Sequence, residues 1–435
     1  MVRTPWGDAS QLREKMLPPG RGTPRSEVRE NQRRRLFAAL VAAVSERGYE
    51  ATRVEDLIEL SGVSRKAFYE LFENKEDCLL VAVQELIEPT IAAIARSNGR
   101  PADLAQAREV FDAFLRLIVE QSAAARMCFV EIYGAGAGAA GTLERTGGAF
   151  EAFASEQLAL LPGRDGMPPQ MIRALIGGLH KVIHKRLYRR EEEELLELAP
   201  QLWEWGLSYL PPPQPLQRPQ RRSRRPGRPH DGYDETERLL RTLAAVVAEK
   251  GYPATTVGDI AKRASISLST FYEHFEGKQE AMLAALDSGS AQMLAAVLPA
   301  FRRAPGWPQA VRGAFEAMFA FGAAEPAYTR LGAVEVYPAG KQALAHRDQV
   351  MEGLEALLTP GYEVAKGAPA IAAEAVGGAV YALVYDQVKA RGAANLPEIA
   401  PLATYIALCP FLGAEEACAV ANREEGELSA PHISS

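Results

Sequence analysis

Residues 48–79 read GYEATRVEDLIELSGVSRKAFYELFENKEDCL, and residues 251–283 read GYPATTVGDIAKRASISLSTFYEHFEGKQEAML. The two stretches keep a constant offset of 203 residues, and 21 of the 48 positions between Arg35 and Ala82 match their counterparts. A gapless match of that length exceeds what shared helical composition gives, so the chain holds one unit twice. Fainter echoes run on: VEIYGAG around Glu131 answers VEVYPAG around Glu335. LIGGLHKVIHKRL answers AVGGAVYALVYDQV, and ELAPQLWEWGLSYL answers EIAPLATYIALCPFL.

Each copy opens on an apolar helical stripe, Leu36–Leu40–Val44 in the first and Leu239–Leu243–Val247 in the second. Gly48 and Gly251 stop that helix. Thr52 with Glu55, and Thr256 with Asp259, then set a hydroxyl and an acid three apart, a helix-start signal. The second helix closes at Ser61-Gly62-Val63, and Ser64 caps a third, RKAFYELF, with Phe68, Leu71 and Phe72 turned inward. Helix, glycine-containing turn, helix is the helix-turn-helix arrangement. On the third helix Lys66 and Tyr69 point outward and Arg65 sits at the exposed N-terminal edge, where a recognition helix meets base edges. Lys75 and Lys278 each begin the following helix, where the macrodipole disfavours a cation. That repeated cost predicts a phosphate contact at both.

The two quoted stretches resemble the TetR family of transcriptional regulators, over about 48 residues in each copy. The resemblance implies an all-α fold of two tandem units. Each would have a three-helix DNA-binding head and a larger helical domain that binds a ligand and dimerises. In the family, two subunits pair through their last two helices. The matching segments here are roughly 170–190 with 195–209, and 370–391 with 397–412, and each holds a Gly-Gly pair, Gly177-Gly178 and Gly377-Gly378. The expectation is an intramolecular pseudo-dimer, because a tether raises the effective concentration of each unit for the other.

The expected divisions are a disordered basic N-terminal arm (1–26), a first DNA-binding domain (27–75) and a first helical ligand-binding and dimerisation domain (76–210). A Pro/Arg-rich linker and arm (211–232), a second DNA-binding domain (233–278), a second helical domain (279–413) and a flexible C-terminal tail (414–435) follow. The linker contains RRSRRPGRP at 221–229, with five arginines in a chain whose net charge is −6. It precedes the second head as an arm would, and Arg225 and Arg228 resemble the Arg-Gly-Arg-Pro cores that enter narrow minor grooves. The DNA-facing set expected on this basis is Thr52, Arg53, Ser64, Arg65, Lys66, Tyr69 and Lys75 in the first head. In the second it is Thr255, Thr256, Ser267, Ser269, Thr270, Tyr272, His274 and Lys278, preceded by Arg225 and Arg228.

The reading heads differ chemically. Arg65 and Lys66 suit guanine O6 and N7, whereas Leu268, Ser269 and Thr270 suit less selective contacts, including the thymine methyl. An operator with unequal half-sites follows. The turn differs too, with Ser265 where the first copy has Gly62, and a left-handed backbone there would cost about 1 kcal/mol.

The rest of the composition is quieter. No nucleophile–base pair or carboxylate constellation appears by spacing, so an enzyme is not expected. GAGAAG at 136–141 fits a phosphate-loop string but follows a helical pattern, and it reads as a flexible inter-helix loop. His180 and His184 lie four apart, yet without a third ligand nearby they read as structural rather than metal-binding, and no cofactor is expected. Cys78, Cys128, Cys409 and Cys418 form no CxxC pair and suit reduced thiols, hence a cytoplasmic protein. No apolar run is expected to reach the ~18 residues needed to span a bilayer, and the N-terminus lacks a signal-like apolar core. Phe111, Phe114, Phe315 and Phe319 recur at helical spacing, as core residues of which some line a ligand cavity. The sum is a DNA-binding regulator, most simply a repressor answering an apolar or amphipathic small molecule. The alternative is a ligand-independent DNA-organising protein, which would show steep salt dependence and little sequence preference.

Overall fold

The computed structural model describes residues 2–17, 22–97, 104–159, 161–217 and 234–423, with the side chains of 92–97, 137 and 140 outside the description. A short hairpin, β1 (Arg3–Thr4) with β2 (Gly7–Asp8), begins the chain. The first head follows as α1 (Arg25–Arg47), α2 (Val54–Ser61) and α3 (Arg65–Leu71). Its body is α4 (Lys75–Ser97), α5 (Leu104–Glu120), α6 (Ser122–Phe129), α7 (Ala139–Ala159), α8 (Pro169–Arg189) and α9 (Glu194–Leu207). The second head is α10 (Glu235–Lys250), α11 (Val257–Ala264) and α12 (Leu268–His274). Its body is α13 (Lys278–Arg303), α14 (Trp307–Ala324), α15 (Pro326–Arg330), a π-helical turn Leu331–Glu335, α16 (Lys341–Glu355), α17 (Gly361–Val364), α18 (Ala372–Arg391) and α19 (Ala400–Asn422).

The stripes do what their spacing requires. Leu36, Leu40, Val44, Leu239, Leu243 and Val247 are all buried. Gly48 (φ 78°) and Gly251 (φ 82°) end their helices in a backbone region that glycine reaches without a Cβ clash, each amide bonding back to a valine carbonyl at 2.8 Å.

The chain packs as two compact units whose limits do not follow the sequence repeat. One is Met1–Leu161 with His180–Pro200; the other is Pro162–Leu179 with Gln201–Ser435. Within the second, the start of α8 and the end of α9 pack with α18 and α19. A methyl on Gly178 would lie 2.6 Å from the Ala375 carbonyl oxygen, and one on Gly177 would collide with Ala382. These are backbone approaches that only glycine permits. The Tyr209 hydroxyl donates to the Ile406 carbonyl at 3.0 Å, the Tyr405 hydroxyl to Leu210 at 2.8 Å, and Arg173 pairs with Asp386 at 3.1 Å.

Three expectations need correction. Residues 2–17 are not a disordered arm. Leu12 is 1% exposed against Ala38 and Ala39, the Trp6 ring lies 4.9 Å from Phe37, and the Arg13 guanidinium donates to the Glu59 carbonyl. Two large apolar side chains among the basic ones supply the burial that a purely charged arm lacks. Residues 414–422 are not a tail either: α19 runs on past a break at Gly413 and buries Ala417, Cys418, Val420 and Ala421. Finally, two segments, Lys278–Arg303 and Ala393–Asn422, are long and apolar enough by composition to cross a bilayer. Both pack within the second compact unit.

Candidate nucleic-acid interface

Both heads are built on one pattern. Phe68 and Phe271 are fully buried, and each meets a second phenylalanine, Phe72 or Phe275, at 5.7 Å. The turn between the second and third helices goes through a left-handed residue, Gly62 (φ 66°) in one head and Ser265 (φ 58°) in the other. Serine carries there the strain that glycine avoids. Ser64 and Ser267 cap the third helices, their hydroxyls accepting the amides of Ala67 (3.2 Å) and Thr270 (3.0 Å).

That cap aims one face outward. Lys66 is 88% exposed with Glu70 3.9 Å away, and Tyr69 and Tyr272 are 52% and 56% exposed. Leu268, at the position of Arg65, is 53% exposed, an apolar side chain left in water. Arg65 is exposed but ion-paired with Glu55, so contact with another anion requires it to change partners. The Ser269 and Thr270 hydroxyls lie 2.7 and 2.9 Å from that of Ser267, and His274 Nδ1 lies 3.4 Å from the Thr236 hydroxyl. Arg225 and Arg228 fall outside the described residues.

Four of the expected DNA-facing residues are occupied elsewhere. Thr52 and Thr255 are 1% and 2% exposed, and their hydroxyls donate to the Gly48 and Gly251 carbonyls at 2.8 Å. The helix-start pair in the first copy is therefore Arg53 with Asp56, whose carboxylate accepts the Arg53 amide at 2.7 Å. It sits one residue later than the Thr52–Glu55 spacing predicts, in register with Thr256 and Asp259. Lys75 and Lys278 have a structural reason to recur. Lys75 Nζ donates to the carbonyls of Tyr49 and Thr52, both at 2.7 Å, and sits 4.0 Å from the Tyr49 ring centroid. Lys278 repeats this at 2.8 and 2.9 Å on Tyr252 and Thr255, 4.2 Å from the Tyr252 ring. Burial lowers both ammonium pKa values from 10.5. The unfavourable dipole position is offset by two carbonyls and a ring face, so no phosphate is needed to explain it.

A pair of acids that sequence reasoning passed over ties each head to its body. The Glu131 carboxylate accepts the Tyr49 amide at 2.8 Å, and Glu335 accepts the Tyr252 amide at 2.9 Å. Both acids are 5% exposed, and each faces an arginine five residues earlier, Arg126 at 3.8 Å or Arg330 at 3.3 Å. The signal was available: both copies keep an acid inside the apolar string V-E-[IV]-Y.

The second body holds a partly open apolar cavity of about 190 Å³, lined by Met293, Phe315, Phe319, Val350 and the rings of Tyr328 and Tyr381 among others. Phe114, from the same helical pattern in the first body, instead packs on Phe150 at 5.4 Å. His180 Nε2 meets the Tyr133 hydroxyl at 3.1 Å and its ring stacks on His184. The segment 136–141 is only partly a loop: a 3₁₀ turn, Glu131–Gly138, leads directly into α7.

Comparison with known proteins places these heads. The model of the bacterial regulatory proteins of the tetR family matches residues 36–82 and again 239–286. Among curated relatives, the HTH-type transcriptional activator FasR of Mycolicibacterium smegmatis is 34% identical over 84 residues, 19% of this chain and 38% of that protein. The HTH-type transcriptional regulator RutR of Escherichia coli is 24% identical over 139 residues, 32% of this chain and 64% of that one. The match spans less than two thirds of either relative. Among solved structures, the fatty acid degradation regulator FadR from Bacillus halodurans superposes with a TM-score of 0.37 at 18% identity, over 40% of this chain and 95% of its own. Both matched segments coincide with the two helix-turn-helix heads, so the chain carries the DNA-binding domain of the tetR-family regulators twice in tandem.

Proposed function

We propose that this chain is a ligand-responsive transcriptional repressor whose two repeats pair with each other and read an operator of unequal half-sites. The observation that carries the reading is the matched scaffold with mismatched faces. Ser64 and Ser267 hold the third helices by the same cap, yet one presents Lys66 and the other Ser269 at the same register. An exposed lysine donates to guanine O6 or N7, while a serine hydroxyl contacts any base weakly. Tyr69 and Tyr272, exposed in both heads, supply a common contact to the backbone or bases. Pairing within the chain is supported by the glycine-mediated approach of α8 to α18 inside one compact unit. The apolar cavity favours a ligand-responsive protein over one that organises DNA by charge alone.

Selection of bound duplexes from a random pool, followed by footprinting of the chain on the winners, tests the reading. One chain is expected to protect two half-sites of different sequence. Binding that shows no preference over random DNA and only a steep salt dependence would favour the DNA-organising alternative.

A further inference from the structure

We infer that a neutral amphiphile with an apolar chain, bound in the second body's cavity, releases the second DNA-binding head alone, with Tyr328 and Glu335 as the positioning residues that carry the signal. The inference rests on the ligand-responsive reading above and adds the ligand's charge class and the head it acts on.

The ligand class follows from the wall. Its lining is overwhelmingly apolar, and its arginine, Arg347, already faces a carboxylate. Arg347 pairs with Asp348 at 2.7 Å and lies over the rings of Tyr337 and Tyr381 at 5.2 and 5.4 Å. His346 sits between the Ser290 hydroxyl (3.1 Å) and Asp287 (3.0 Å), and Glu355 adds a further carboxylate to the lining. An anionic head group would meet a spent cation and an acid. An uncharged hydroxyl or amide exchanges hydrogen bonds with the same wall at no Coulombic cost.

Two links join that wall to the second head. Tyr328 lines the cavity, and its hydroxyl donates to Glu237 of α10 at 3.1 Å. Glu237 also accepts from the Ser288 hydroxyl at 2.7 Å and from Gln292 at 2.9 Å, while Arg241 of α10 reaches Glu325 at 2.7 Å. The other link is the π-helical turn. Gly332, Ala333 and Val336 line the cavity, the Tyr381 hydroxyl donates to the Ala333 carbonyl at 2.9 Å, and Glu335 at the far end holds the Tyr252 amide. A π turn carries one residue more than the α pitch, so a ligand that pushes it toward α register rotates every later side chain. Glu335 then leaves the Tyr252 amide, and the α10–α11 corner loses its anchor.

The first copy keeps the Glu131–Tyr49 contact but not the rest. Arg34, Ala38, Glu85, Pro89 and Ala124 stand at the positions of Glu237, Arg241, Ser288, Gln292 and Tyr328. Its acid begins a 3₁₀ turn instead of closing a π turn. The wiring from wall to head belongs to one copy.

Amide exchange on the full chain tests this, with 1-decanol as the neutral probe and decanoate as its charged counterpart. At saturating 1-decanol, the Tyr252 amide should exchange at least tenfold faster while the Tyr49 amide stays within twofold, and decanoate should do less at equal concentration. Glu335→Leu should reach the decanol-bound rate without decanol, and Glu335→Gln, which keeps a carbonyl acceptor, should stay slow. The inference is overturned if both amides speed up together, if 1-decanol binds and neither changes, if decanoate acts more strongly, or if 1-decanol does not bind. Specific DNA binding without any probe is scored separately, so a failure of the regulator reading shows as loss of operator preference whatever the exchange rates do.

Discussion

The two DNA-binding heads are the same object built twice with different amounts of support. Both bury one phenylalanine under the third helix, both cap that helix with serine, and both pin the corner after the first helix with a lysine and an acid. Around that shared frame the first head gains an N-terminal cover. Leu12 and Trp6 pack on α1, and Arg35, 5% exposed, donates to the Ser61 carbonyl at 2.6 Å. Its counterpart Arg238 is exposed. The second head instead gains polar wiring to a cavity wall and bears a strained serine at its turn. What the heads share is what a helix-turn-helix needs to stand, and what they do not share separates a braced head from a responsive one.

The largest expected effects test the shared frame. Phe68→Ala and Phe271→Ala should each destabilise its own head by about 3–5 kcal/mol, measured by urea unfolding with exchange resolved by head. Unequal losses would show that the N-terminal cover carries part of the first head's core. Lys75→Met and Lys278→Met should each cost about 1–3 kcal/mol, because two carbonyls lose their donor. If stability holds and binding weakens on all DNA sequences, the lysines are phosphate contacts after all.

Smaller effects sharpen the differences. Lys66→Ala should relax base preference at one half-site by about 1–2 kcal/mol and leave the other unchanged, read from selected sequences. The turn exchange should have opposite signs: Ser265→Gly stabilises by about 0.5–1 kcal/mol, and Gly62→Ser destabilises by at least as much. A side chain at Gly62 also meets Arg13 and Met16 at 3.2 and 3.3 Å, so thermal melts of the pair measure strain plus that crowding. The smallest effect is a pH response. Hydrogen bonds from Lys250 and Thr256 hold Asp259 at about 2, below its ordinary 3.8. A depressed carboxylate contributes stability above its unfolded pKa and loses it as pH falls through the folded one. The second head should therefore weaken between about pH 4 and pH 2, and Asp259→Asn should flatten that slope in acid titration.

Much of the frame was legible because it is local. Periodic leucines, a stopping glycine and a capping serine act within a few residues of themselves, and the repeat multiplies each signal by two. The misread positions depend on distant partners. Lys75 looks misplaced until the Tyr49 and Thr52 carbonyls, more than twenty residues earlier, fold beneath it. Thr52 looks like a cap, but its hydroxyl turns back to Gly48 and leaves the start of α2 to Arg53 and Asp56. The N-terminal segment reads as a charged arm because Trp6 and Leu12 find their apolar surface only on α1, whose first residue lies after them in the chain. Glu131 and Glu335 were visible as a repeated acid, yet their partners, the Tyr49 and Tyr252 amides, lie over eighty residues away.

The most direct test of the mismatched reading faces makes them alike. Leu268→Arg, Ser269→Lys and Thr270→Ala together give the second head the residues that stand at 65–67, and bound sequences are selected for the parent and the changed chain. The parent is predicted to select two unlike half-sites, and the changed chain two alike, both of the first head's preference. Two identical half-sites for the parent, or half-sites still unlike after the change, would contradict this reading.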